Sequence, residues 1–143
     1  MQHLILAIAM LFSSIIVAQE SSKSTKNEFK SVKVSVVNAT NDKGEIEFAL
    51  FNEENFRKES LESISSTIKN GVSTVTFKGL LEGSYAIICY HDANENGKMD
   101  FAENGMPIEN YGASNNVMNF GPPQFEDSKF VVSKNDLSLE IKF

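Results

Sequence analysis

The chain has 143 residues, 41% of them hydrophobic and 22% charged, with a net charge of −6. That balance supports one globular core and excludes wholesale disorder. It also argues against a nucleic-acid binder, whose phosphate contacts need clustered Lys and Arg. Cys89 is the only cysteine, so no internal disulfide can form and the fold must hold by burial, helped in one reading by metal.

Residues 1–18 read as a signal peptide. Residues 4–17 are apolar apart from Ser13 and Ser14, and Ala18 offers a small residue for cleavage before Gln19. The run, about 14 residues, is short of the roughly 20 that span a bilayer. No cysteine follows it to carry a lipid. An exported protein is therefore expected, periplasmic, cell-surface or secreted, with no stable membrane insertion after cleavage. Residues 19–31 are polar and read as a flexible leader, and residues 32–143 as a single domain.

From Val32 the period is 2. Val32, Val34 and Val36 alternate with Lys33 and Ser35, and Ile46, Phe48 and Leu50 with Glu45, Glu47 and Ala49. Each run has one apolar and one polar face, as a half-buried strand requires. Asn41-Asp42-Lys43-Gly44 between them is a hairpin signal. Residues 52–63 lose the alternation and fit a short helix or a charged surface loop. Strand chemistry returns over 66–77, with a turn at Asn70-Gly71. Residues 84–90 (SYAIICY) are apolar on both faces, which predicts a central strand covered on both sides. Residues 104–126 show neither period but hold Met106, Ile108, Tyr111, Val117, Met118, Phe120 and Phe125. They predict a packed, ordered loop, extending back to residue 101, rather than disorder. Strands at 129–133 and 137–143 close the domain. Six or seven short strands with at most one short helix predict an all-β, antiparallel β-sandwich of immunoglobulin-like or prealbumin-like type.

The central strand leads into His91-Asp92-Ala93-Asn94-Glu95-Asn96-Gly97-Lys98-Met99-Asp100-Phe101-Ala102-Glu103. From Asp92 this matches a twelve-residue calcium loop, whose hard cation needs six to eight oxygen ligands at fixed spacing. Asp92, Asn94 and Asn96 take positions one, three and five, and Gly97 the sharp turn at six. Lys98 would give its backbone carbonyl, Asp100 a carboxylate at nine, Glu103 a bidentate carboxylate at twelve, and Met99 would point into the core. Helices should flank an EF-hand loop, but here a strand enters and Asn104-Gly105-Met106-Pro107 stops any helix leaving. Glu103 is therefore the provisional member. The competing reading is a loop whose Asp and Asn side chains bond their own backbone. If metal binds, a weak calcium affinity on the order of 0.1–1 mM is expected.

Three stretches carry a family resemblance. They are Gly83-Ser84-Tyr85-Ala86 with the acidic loop, then Gly105-x-Pro107-x-Glu109-x-Tyr111-Gly112-x-Ser114-Asn115-Asn116, then Gly121-Pro122-Pro123-x-Phe125-Glu126-Asp127. Together they resemble the signature of the bacterial domain-of-unknown-function family 2141 across residues 32–143, with Ala113 departing from the aromatic residue of that pattern. The resemblance implies an exported, mostly β protein with no established activity. It also groups Glu109, Tyr111, Ser114, Asn115 and Asn116 with the acidic loop, as a ligand surface shared with His91 or as purely architectural residues.

Enzyme signals are thin. Cys89 and His91 lie two apart on one strand face, but nothing in the sequence orients the histidine as a base. No phosphate loop and no G-x-S-x-G is present. The reading is therefore an exported binding or structural module that presents residues 91–126 to an unknown ligand or an extracytoplasmic protein partner. The alternative is a metal- or carboxylate-dependent extracytoplasmic hydrolase using residues 91–116, which requires a depression lined by Asp92, Asp100, Glu103 or Glu109 and His91.

Overall fold

The computed structural model describes residues 28–118 and 121–143. The expected signal peptide, and the leader up to residue 27, lie outside the described residues. Alternating valines start the first strand, β1 (Lys30–Val36), two residues before the expected domain boundary. The others are β2 (Glu45–Phe51), β3 (Glu62–Thr67), β4 (Ser73–Leu80), β5 (Gly83–Asp92), β6 (Tyr111–Ala113), β7 (Phe130–Val132) and β8 (Leu137–Ile141). Among the described residues eight strands form where six or seven were expected.

The strands make two facing sheets. One has the order β4-β1-β8, and the other β3-β2-β5-β6, with β7 also on β5. Pairing is antiparallel except between β1 and β8, which run parallel, Val34 opposite Leu139. Inward faces supply the core. Val32, Val34, Val36, Phe77 and Ile141 come from one sheet, and Ile46, Phe48, Ile87 and Cys89 from the other, all fully buried. Each such aliphatic or aromatic side chain contributes about 1.5–3 kcal/mol on leaving water, so this layer holds the fold without cross-links.

The outer face of β5 is covered too, as its two-sided apolar character predicts. Ala86 there is fully buried and Ile88 half-buried. Residues 52–60 cover part of it without forming a helix. Asn52 and Asn55 exchange backbone-to-side-chain bonds of 2.8 and 3.1 Å, and Phe56 stacks edge-on against Phe51 and Phe125. The only α-helical turn among the described residues, Phe125–Ser128, begins at the end of the stretch read as loop and runs two residues past it.

Residues 101–126 contain a further surprise in β6. Three residues are too few to display a period, so the sequence hides it. Its Gly112 faces inward, where an added Cβ would stand 2.7 Å from both Ile141 Cγ2 and the Lys142 carbonyl. Only a bare Cα lets β6 approach β8 this closely.

The turn after β6 fastens the edge by side chains. The Ile87 N–H donates to Ser114 Oγ at 3.0 Å, and that hydroxyl donates in turn to the Ser128 carbonyl. Asn115 Nδ2 donates to the Lys129 carbonyl at 2.7 Å and the Asp127 carbonyl at 3.2 Å. Asn116 pairs with β8 as a backbone amide would, donating to the Glu140 carbonyl and accepting from Lys142 N–H, both at 2.8 Å. Both asparagines have left-handed backbones, φ 71° and 55°, a region Asn tolerates better than most residues.

Candidate functional site

β5 carries the chain out of the core and ends at Asp92, whose side chain is buried, only 3% exposed. Its carboxylate accepts two backbone N–H groups, Asn96 at 3.1 Å and Gly97 at 2.7 Å. These bonds curl residues 92–97 into a tight loop. Asn94 Oδ1 also accepts the Asn96 N–H at 3.2 Å, and Asn96 Oδ1 accepts the Lys98 N–H at 2.9 Å. The two carboxamides then converge on Asp100. Asn94 Nδ2 donates to its Oδ2 at 2.7 Å, and Asn96 Nδ2 to both oxygens at 2.9 and 3.0 Å. Asp92, Asn94, Asn96 and Asp100 thus share one small loop.

The base of the loop is held by two neighbours. His91 Nε2 bonds the Lys43 carbonyl at 2.6 Å, so the ring braces the β1–β2 turn rather than the loop that follows it. Its backbone N–H donates to the Asn110 carbonyl at 2.9 Å, fastening the start of β6. Gly44, φ 67°, lies so close that an added Cβ would fall 2.0 Å from the Asp92 carbonyl. Glycine is therefore required where this turn meets the loop.

Beyond Asp100 the chain makes a short hairpin. Ile108 N–H donates to the Asp100 carbonyl at 2.9 Å, Ala102 N–H to the Met106 carbonyl at 2.8 Å, and Gly105 N–H to the Ala102 carbonyl at 2.8 Å. Glu103 sits exposed at the tip, three residues past Asp100. The returning arm brings Glu109 back. Its Oε2 accepts the Asp100 N–H at 3.1 Å, while its Oε1 is buried and finds no hydrogen-bond partner among the described residues. Met99 does not enter the sandwich core. It is half-buried on the outer sheet face beside Ile88, Phe101, Met106, Pro107 and Tyr111, around a depression of about 380 Å³.

The local field is acidic. Tyr90, opposite Glu47 across β2 and Tyr111 across β6, has its phenol pushed up to about 12, first by burial and then by Glu47, Asp92, Glu109 and Asp100. Among the described residues no ion pair reaches the loop; those present join Lys30 to Glu28, Lys129 to Glu126 and Lys142 to Glu140.

The donor set suits a hard cation. It consists of carboxylate oxygens and carboxamide groups, with no thiolate or imidazole. Among the described residues no three Asp, Glu, His or Cys side chains converge into a metal-holding group, so the Asn94 and Asn96 oxygens would have to complete it. Rotating either carboxamide by half a turn exchanges its N–H donors for an oxygen at nearly the same place. The arrangement is a self-bonded loop as it stands, in which both carboxamides turn their donors to Asp100 and their oxygens to backbone N–H groups.

The remaining candidates are placed as follows. Tyr111 lines the 380 Å³ depression, while Ser114, Asn115 and Asn116 bond backbone groups of other segments. Cys89 is fully buried, and burial pushes its thiol up, the opposite of what a nucleophile needs. A second depression of similar volume lies between β6, residues 121–128 and the carboxy-terminal residues. Neither depression is lined by His91, Asp92, Asp100, Glu103 or Glu109. Nothing in the sequence marks Gly44, the Lys43 carbonyl or Asn110 as props of the loop. Gly44 carried a turn signal, but no local pattern announces which distant turn meets a strand end.

The model of the bacterial family described as an uncharacterised protein conserved in bacteria, domain of unknown function 2141, matches residues 34–140. The chain belongs to this family. The match runs from within β1 to within β8 and so takes in the acidic loop, the hairpin after it and the 114–116 turn. No curated protein matches the chain, and no solved structure does. No helix among the described residues is long and apolar enough to cross a membrane.

Proposed function

We propose that this protein is an exported β-sandwich module whose Asp92–Asp100 loop binds calcium weakly and thereby stiffens the outer sheet face that meets a ligand or partner. The observation that carries this reading is the convergence of Asn94 and Asn96 on Asp100 beside the buried Asp92. A cation would replace the amide donors now satisfying Asp100, and the same loop would keep its backbone bonds to Asp92. The coupling outward runs through the 100–108 hairpin, which carries Phe101, Met106 and Pro107 to the depression beside Met99. This is a binding and structural role rather than a catalytic one. No observation favours the hydrolase alternative, since its required acids line neither depression.

Binding to the folded state alone raises stability by mass action. At ten times the dissociation constant the gain is about 1.4 kcal/mol, or roughly 4–8 °C in melting temperature for a domain of this size. Thermal unfolding in excess calcium and in chelator should differ by that amount. The double variant Asp92→Ala, Asp100→Ala should melt identically in both. Coincident curves for the wild type would overturn the proposal.

A further inference from the structure

We infer that the depression on the outer sheet face binds a small carboxylate with an apolar body, its head held by Arg57. The inference rests on the binding-module reading for the face involved and names the ligand class, but it does not need the calcium. Ile88, Met99, Phe101, Met106 and Tyr111 line the depression, with prolines and glycines completing a wall around about 380 Å³. That volume falls in the range of small-molecule sites, which are mostly apolar with a few placed polar groups. The rim is uncovered. Phe101 is 58% exposed and Met106 62%, and Ile108 on the same hairpin is 65% exposed. Large apolar side chains exposed together on one short hairpin form a patch, unlike single apolar residues scattered over a surface.

Charge selects the occupant. Arg57 is the only charged residue among the described residues that line the depression. The ion pairs among the described residues join other cations to other acids, so its guanidinium has no carboxylate of its own. The turn that carries it is well anchored. Asn52 and Asn55 close the preceding residues, and Phe56 is held edge-on between Phe51 and Phe125. Arg57 itself has a left-handed backbone, φ 57°, a region that a long side chain rarely takes and that recurs at ligand clamps. A guanidinium presents a planar fork of donors that matches a carboxylate. One fork suits a monoanion, whereas a phosphate dianion calls for more positive charge than this wall holds. Tyr111, whose hydroxyl has no hydrogen-bond partner among the described residues, adds a second donor to the lining. The apolar body would lie against the Met99 and Met106 thioethers, which adapt to the shape of what they contact.

The test is titration of the purified protein with octanoate, octanol and octylammonium, followed by NMR of carbon-13-labelled methionine methyls, in calcium and in chelator. With octanoate the Met99 and Met106 methyls should shift saturably, with a dissociation constant on the order of 0.1–1 mM. Met118, which lines the other depression, should stay put. Octanol should bind about tenfold more weakly and octylammonium more weakly still, because neither makes charge-assisted bonds to Arg57. Arg57→Gln should bring octanoate down to the level of octanol and leave octanol unchanged. Arg57 is exposed, so this variant should melt with the wild type. Equal binding of octanol and octanoate by the wild type overturns the inference without any variant, and so does the absence of saturable shifts well above that range. Shifts centred on Met118 would assign the ligand to the other depression and overturn it too. Octanoate binding with coincident melting curves in calcium and chelator leaves this inference standing and removes the calcium reading. A calcium-dependent melt without octanoate binding does the reverse.

Discussion

The loop at 92–100 and the turn at 114–116 are built from the same side chains and do different work. In each, Asp, Asn or Ser replaces backbone hydrogen bonding. At 114–116 the partners are backbone groups of distant segments, Ile87, Ser128, Lys129, Glu140 and Lys142. Those groups belong to β5, β8 and the segments flanking β7 and β8, so the side chains join separate elements. At 92–100 the partners lie within six residues, and Asp100 is satisfied by two rotatable carboxamides. In the proposed reading such bonds would be exchanged for an ion without disturbing the sheets. A polar cluster reads as ligand-ready when its own bonds are local and replaceable, and as structural when they join separate elements.

The comparison can be broken at both ends. The largest effect is expected at Gly44→Ala, which places a methyl against the Asp92 carbonyl in a left-handed backbone. A loss on the order of 3 kcal/mol is expected, visible in chemical denaturation, together with loss of the calcium response. Ser114→Ala should follow, at about 2 kcal/mol, since it strands the buried Ile87 N–H and Ser128 carbonyl. Its calcium response should match the wild type, and a lost response would merge the two regions into one functional unit.

Asp42 sharpens the contrast with the smallest effect. This exposed carboxylate accepts the Asn70 and Gly71 N–H groups at 2.8 Å, tying two turns together. The Gly71 and then the Asn70 bond lower its pKa below the usual Asp value of 3.8. A depressed carboxylate contributes stability above its unfolded pKa and loses it as pH falls through the folded one. Acid titration of wild type against Asp42→Asn should therefore diverge slightly above pH 4 and converge below it, with or without calcium.

Much of this was legible in the sequence. Val32, Val34 and Val36 announced an inward face and are all fully buried. The two-sided apolar run at 84–90 became the central β5, and Asn70-Gly71 became the turn before β4. What stayed hidden was non-local. The parallel partner of β1 lies about a hundred residues away in β8, and no local period encodes that pairing. β3 begins at Glu62, inside the stretch read as loop or helix, because its polar ESISST sequence suits an exposed edge strand. The site divides the same way. The spacing of Asp92, Asn94, Asn96 and Asp100 is local and readable. The return of Glu109 beside Asp100 depends on a hairpin whose ladder the sequence does not advertise.

The central claim is that the 92–100 loop holds a calcium ion, and calorimetric titration of the purified protein tests it most directly. A saturable heat at about one ion per chain, with a dissociation constant on the order of 0.1–1 mM and absent from Asp92→Ala, Asp100→Ala, is the predicted result. No saturable heat in the wild type, or an unchanged heat in that folded double variant, would contradict the account.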